Sequence, residues 1–242
     1  MEVDGVGDAF LEGVNSDALI ASLRQVDISV PDRTAGRTTH HTETWAISRL
    51  LATLATTSLL KYPLSVYHRD RPDFLLKTAG IEIGIEITEA TSPQYAKYCA
   101  LAEREFPNAL LEPAHFRWGA PDLSVDDMRA LLRESRLTSD GWVGDGPEQE
   151  WAKFIQSTFD TKLRKLRHED FTQYPKNWLG VYDNTPLLDI DIDKAVALLC
   201  PLIQDYWAVV PSFDALFIEH DRSIIALTAS SADRLILNDL WR

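Results

Sequence analysis

RPDFLLKTAGIEIGIEITEA, residues 71–90, is the stretch on which the reading of this chain turns. Ile81, Ile83, Ile85 and Ile87 alternate with Glu82, Gly84, Glu86 and Thr88. That period of two belongs to a strand with one apolar face. Ala79 and Gly80 precede it as a turn signal, and DFLLKT (73–78) is a second strand-like run before the turn. If the two runs pair across Ala79-Gly80, Phe74 and Leu76 share the apolar face with Ile81, Ile83 and Ile85. The other face then sets Lys77 opposite Glu82 and Asp73 opposite Glu86. The first pair is favourable. The second puts like charges on Cβ atoms roughly 4.5–5.5 Å apart, which destabilises a sheet. Two resolutions are open. The carboxylates project into water at the sheet end, or a cation or shared proton lies between them. Mg²⁺ or Mn²⁺, hard cations that take oxygen ligands, would fit such a pair.

Working outward, residues 42–60 carry Trp45, Ile47, Leu50, Leu51, Leu54 and Leu59 at helical spacing, with Pro63 as the expected stop. Ile47, Leu50 and Leu54 lie within about 40° of Glu43 on a helical wheel, so Glu43 is expected to begin the stripe that faces the sheet. His40 precedes it by one turn. A long helix is expected over 148–168. There Lys162 falls near Trp151, Ile155, Phe159 and Leu166 on the inward edge, while Lys153, Arg164 and Arg167 fall on the solvated side. Bland alternatives exist: Lys162 snorkelling outward, and Glu43 simply favouring a helix N-terminus. LSVYH (64–68), WLGVYD (178–183), ALFIEH (215–220) and IIALTA (224–229) read as further strands, the last two as a closing hairpin. Helices are expected near 16–24, 94–105, 125–134 and 193–207, the last kinked or split at Pro201. Residues 31–37 read as a turn. The order predicts an α/β fold, a mixed central sheet with flanking helices. Residues 1–36 are expected to form an N-terminal extension and 37–242 a single domain with a helical insertion at about 90–147.

Composition narrows the function classes. The 242 residues are 45% apolar and 25% charged, ordinary globular values. Lys plus Arg number 24 against 37 Asp plus Glu, a net charge of −13, which argues against a non-specific nucleic-acid coat. Cys99 and Cys200, the two cysteines, rule out a disulfide scaffold and fit a reducing cytoplasm. No apolar run is long enough to span a membrane, and the N-terminus lacks the regions of a signal peptide. Gly5 and Gly7 follow no strand and make no dinucleotide fingerprint. Asp189, Asp191 and Asp193 alternate like a calcium loop, but Lys194 stands where a glycine is needed, so a helix cap is expected. Cys99 reads as a buried structural thiol. His40-His41 have no second His/Cys cluster at metal spacing.

Arg71, Pro72, Asp73, then Gly84, Ile85, Glu86, Ile87 and Thr88 resemble the core motif of the PD-(D/E)xK nuclease superfamily, the restriction-endonuclease-like fold. The likeness covers residues 40–90 and extends over 148–230 by element order. It implies that Asp73 is the motif's Asp, Glu86 its Glu and Glu43 the acid of the first helix. Thr88 stands where the motif has its lysine. Some members carry that lysine on a neighbouring helix, which makes Lys162 the candidate and Lys165 the runner-up. The resemblance implies Mg²⁺ (or Mn²⁺) held by Asp73, Glu86 and the Ile87 carbonyl, with Glu43 at a second metal or its water, and Lys162 stabilising the transition state. Substrate would be met along KLRKLRH (162–168), where Arg164 and Lys165 lie, with Arg71 and Thr88 beside it. The expected substrate is nucleic acid, DNA before RNA, possible further partners being a protein or a second copy of the chain. The missing lysine and the net charge of −13 keep a second class open: a catalytically inactive protein of the same fold, acting as an interaction, immunity or regulatory module.

Overall fold

The computed structural model describes residues 8–32, 35–137, 139, 141–187 and 189–242. The pair Gly5 and Gly7, and part of the turn expected at 31–37, lie outside them. The elements run β1 (Leu11–Gly13), α1 (Ser16–Leu23), α2 (Thr39–Leu54), β2 (Leu64–His68), β3 (Phe74–Thr78) and β4 (Ile81–Ala90). They continue with α3 (Pro93–Glu105), α4 (Val125–Glu134), α5 (Gly146–Leu166), β5 (Lys176–Asp183), α6 (Ile192–Ile203), β6 (Ala215–His220), β7 (Ser223–Leu227) and β8 (Ala232–Ile236). Among the described residues the eight strands form one open mixed sheet whose spatial order is the sequence order. β1 to β4 are an antiparallel meander, β4, β5 and β6 are parallel, and β7 and β8 close the sheet antiparallel.

The β3–β4 hairpin has the register expected from its residues: Phe74 faces Ile85, Leu76 faces Ile83, Lys77 faces Glu82 and Thr78 faces Ile81. The loop is therefore Ala79-Gly80, and Gly80 takes a φ of +98°, which a side chain would resist. Lys77 and Glu82 pair at 3.0 Å. Each sheet face has its own core. Ile83, Ile85 and Ile87 pack with Phe74, Leu76, Trp178 and Phe217 beneath Leu19 and Leu23 of α1 and Ile47, Leu51 and Leu54 of α2. On the opposite face Leu179, Val181, Leu216 and Ile218 pack under Trp151, Ile155, Phe159 and Leu163 of α5 and Leu199 and Ile203 of α6. The segment between β4 and α5 builds a third, smaller cluster around Tyr98, Phe116, Met128 and Leu132.

Local chemistry sets the helix ends. Ser92 caps α3 by accepting from the Tyr95 N–H, and Ser124 and Asp127 form a capping box on α4. Asp191 caps α6 through the Lys194 N–H, the role expected of that acidic stretch. α2 ends at Leu54, well before Pro63. The Thr56 and Thr57 hydroxyls donate to the carbonyls of Thr53 and Leu54, satisfying the groups a further turn would have used. α6 runs through Pro201 to Ile203 and tightens into a 3₁₀ turn, Gln204–Ala208. Two strands were not legible in the sequence. β1 has three residues, and β8 (ADRLI) lacks an apolar alternation because it is an exposed edge. β1 and α1, in the part expected to be an extension, pair with β2 and enter the core.

One polar link ties α2 to the far end of the sheet. The buried Arg49 donates to Glu219 at 2.8 Å and to Asp239 at 2.7 Å, with its guanidinium 4.7 Å from the Trp45 ring centroid. Burial raises the Glu219 carboxyl despite Arg49, whereas for Asp239 burial is outweighed by Arg49, the Trp241 N–H and Arg242 together, which lower it. The side chains of Arg49, Glu219 and Asp239 are only 7%, 11% and 12% exposed. Removing the cation strands the buried Glu219, while Asp239 keeps Arg242 at 2.9 Å, a change that costs about 3 kcal/mol or more. Arg49→Ala is expected to lower the unfolding free energy from urea denaturation by that amount, and a loss within experimental error would show that the network contributes little.

Candidate active site

The site lies where β3 begins and β4 passes its midpoint. Asp73 immediately precedes β3, and its Oδ2 accepts a 2.6 Å hydrogen bond from the Ile87 N–H. Gly84 makes the approach possible. A Cβ there would come within 2.7 Å of Tyr174 Cδ2 and 2.9 Å of Pro72 Cγ, so the bare backbone lets the Pro72 ring, next to Asp73, lie against β4. Glu86, two residues on, points to the α5 face and is buried. Lys162 of α5 reaches across and donates to Glu86 Oε1 at 2.6 Å, with the Ile87 carbonyl at 3.4 Å. The carboxylate and ammonium side chains are 8% and 13% exposed, so the pair is largely desolvated. Lys162 therefore turns inward rather than snorkelling, as its wheel position predicts.

Asp73 carries the electrostatic cost. Burial, then the Glu86 charge, push its carboxyl up to about 7, with Glu43 adding to the rise, while the Ile87 N–H and Lys162 pull it down. A cleft of about 620 Å³ opens onto these groups. Asp73, Glu86 and Lys162 line it together with Arg71, Arg164, Lys165 and His168. Asp70 and Asp170 line it too, so four cationic and four acidic side chains meet in one concavity of a chain whose net charge is −13. Arg71 is loosely held, with Asp70 at 3.8 Å and Asp170 at 3.9 Å. Arg164 pairs with Asp160 at 3.0 Å.

The residues anticipated from sequence divide clearly. Asp73, Glu86, Ile87 and Lys162 are brought together, and Arg71, Arg164 and Lys165 border the same cleft. Thr88 is half-buried on β4 and is not part of the cleft lining. It lies one strand repeat beyond Glu86 on β4. Glu43 sits on the other face of the sheet. Its Oε2 is 3.5 Å from His68 Nε2, and its charge reaches Asp73 without contact. Among the described residues, His40, Glu43 and His68 are the one group of three potential metal ligands, their donor atoms all within 4.8 Å of one another. His68 closes a strand and carries no spacing signal relative to His40, so the sequence does not join the two. His168, which lines the cleft, stands inside a basic run whose pattern marks its lysines and arginines rather than its imidazole.

Comparison of the chain with family models, with curated proteins and with solved structures finds no match. Among the described residues no helix is long and apolar enough to cross a membrane.

Asp73 makes a pH signature. Its proton is held more tightly in the folded protein, at about 7, than at the ordinary 3.8. Its contribution to stability is therefore fully present below 3.8, is lost as pH rises to about 7, and stays absent above. Asp73→Asn keeps an acceptor for the Ile87 N–H and removes the charge. In EDTA the variant is expected to melt above the parent at pH 8, with the gain vanishing toward pH 4. A gain independent of pH would refute the assignment of the repulsion to this carboxylate.

Proposed function

We propose that this chain is a metal-dependent nuclease of the PD-(D/E)xK, restriction-endonuclease-like type, hydrolysing phosphodiester bonds of DNA or RNA. The observation that carries the reading is the ammonium of Lys162 on Glu86, beside Asp73, at the floor of a cation-rimmed cleft. The superfamily's lysine follows its Glu by two residues on the strand. Here Thr88 occupies that place and α5 supplies a cation at the corresponding carboxylate. The order of helix, three-stranded meander, helix and parallel strand supports the same reading.

The donors suit a hard divalent ion. Two carboxylates from neighbouring strands face one cleft, and burial followed by the Glu86 charge lifts Asp73, a cost that a cation would offset. Asp73 and Glu86 would hold Mg²⁺ or Mn²⁺, which supplies Lewis acidity toward a phosphoryl oxygen and acidifies water. The Ile87 N–H orients Asp73 by fixing one carboxylate oxygen. Lys162, held between Glu86 and the Ile87 carbonyl, would meet the charge that builds on the phosphoryl oxygens, a preorganised contribution of the kind that dominates many active sites. Arg71, Arg164 and Lys165 would grip flanking phosphates. With so few cations on an acidic chain, binding would weaken steeply with salt.

A non-catalytic binding role is the second reading. Glu86 already has its ammonium at 2.6 Å, an arrangement that is electrostatically satisfied without any metal. The experiment is cleavage of linear and circular DNA and of single-stranded RNA with Mg²⁺ or Mn²⁺ at low salt. Cleavage that disappears in EDTA and in Asp73→Ala and Glu86→Ala is expected. Lys162→Met should lose about 10²–10³-fold in rate, the range for removing one preorganised donor. Cleavage unchanged by Asp73→Ala, or its absence on every substrate, would overturn the proposal.

A further inference from the structure

The first turn of α2 and the last residue of β2 place two imidazoles and a carboxylate together, on the sheet face opposite Glu86 and Lys162. His40 and Glu43 are three apart on α2, hence on one helix face. His68 pairs with Phe74 in the β2–β3 ladder, and its ring packs edge-on against Phe74 at 5.2 Å, which directs it toward α2. It meets the His40 ring edge-on at 5.0 Å and Glu43 Oε2 at 3.5 Å through Nε2. All three donor atoms lie within 4.8 Å of one another. From this geometry we propose a transition-metal site that takes Zn²⁺ through His40, Glu43 and His68. It does not depend on the reading of Asp73 and Glu86.

Three features point to Zn²⁺ rather than to the hard cation suited to the acid pair. Two of three donors are imidazoles, which favour zinc and its neighbours over magnesium. The His68–Glu43 spacing of 3.5 Å is close to the edge of a zinc tetrahedron, about 3.3 Å for bonds of 2.0–2.1 Å. His40 is exposed and His68 is 44% exposed, so the fourth position faces water, as in sites with three protein ligands. The adjacent His41 is not part of the set. Its Nδ1 accepts from the Thr38 N–H at 3.1 Å and lies 2.7 Å from the Thr38 hydroxyl, which fixes the start of α2.

The test is titration calorimetry of the metal-free full chain with ZnCl₂, with Co²⁺ absorption as an independent report of coordination. One Zn²⁺ per chain is expected, with Mg²⁺ failing to compete. His40→Ala and His68→Ala should each weaken binding by about 100-fold or more, since disturbing an outer-shell partner alone costs about 10–100-fold. His41→Ala should keep the affinity, as should the Asp73→Ala/Glu86→Ala double variant, which separates this site from the proposed nuclease centre. Circular-dichroism melts of the two histidine variants, whose side chains are solvent-facing, should match the parent without metal. Zn²⁺ binding of equal strength in parent, His40→Ala and His68→Ala, or no stoichiometric binding at all, would overturn the proposal.

Discussion

Two acids facing each other across one hairpin set the terms for this molecule. The register that puts Phe74 against Ile85 and Leu76 against Ile83 cannot slip by one residue without sending Ile83, Ile85 and Ile87 to the face of α5 and emptying the core under α1 and α2. Apolar packing therefore holds the register. The same register sets Asp73 beside Glu86, although their charges repel. The repulsion persists because the surrounding burial of apolar residues outweighs it, and it appears in the raised Asp73 carboxyl.

α5 answers that repulsion. Its apolar stripe of Trp151, Ile155, Phe159 and Leu163 is seated on β5 and β6, which fixes its rotation. With the rotation fixed, Lys162 is carried to the edge of the stripe nearest β4, and its ammonium reaches Glu86. A cation is thus delivered from a helix distant in sequence rather than from the strand that bears the acid. Packing positions it, and the ion pair then removes the cost of burying Glu86 alone.

The charge distribution follows the same division. The chain is acidic overall, yet Arg71, Lys162, Arg164 and Lys165 meet around one cleft. A local field of this kind acts at short range and is screened by salt beyond a Debye length of about 8–10 Å. Asp70, Asp73, Glu86 and Asp170 line the same cleft, so the charges there balance, and a bound divalent cation would tip the balance toward the proposed phosphodiester substrate.

The sequence alone determined the parts governed by local periodicity and short-range pairing. The β3–β4 hairpin with its loop, α4 and β6 lie where their residues put them, because alternation, capping residues and turn glycines act over a few positions. The inward turn of Lys162 was also legible, since a wheel fixes which residues share a helix face. The tertiary structure decided what depends on distant segments. The edge strands β1 and β8 draw their order from a neighbour's ladder rather than from an apolar pattern of their own. The Arg49 network joins residues 170 and 190 positions apart. His68 comes to His40 and Glu43 only because β2 ends beneath the start of α2, a meeting that no spacing in the chain records. Local rules reach along the backbone for a turn or two; which side chains meet across a packed interface is settled by how the layers stack.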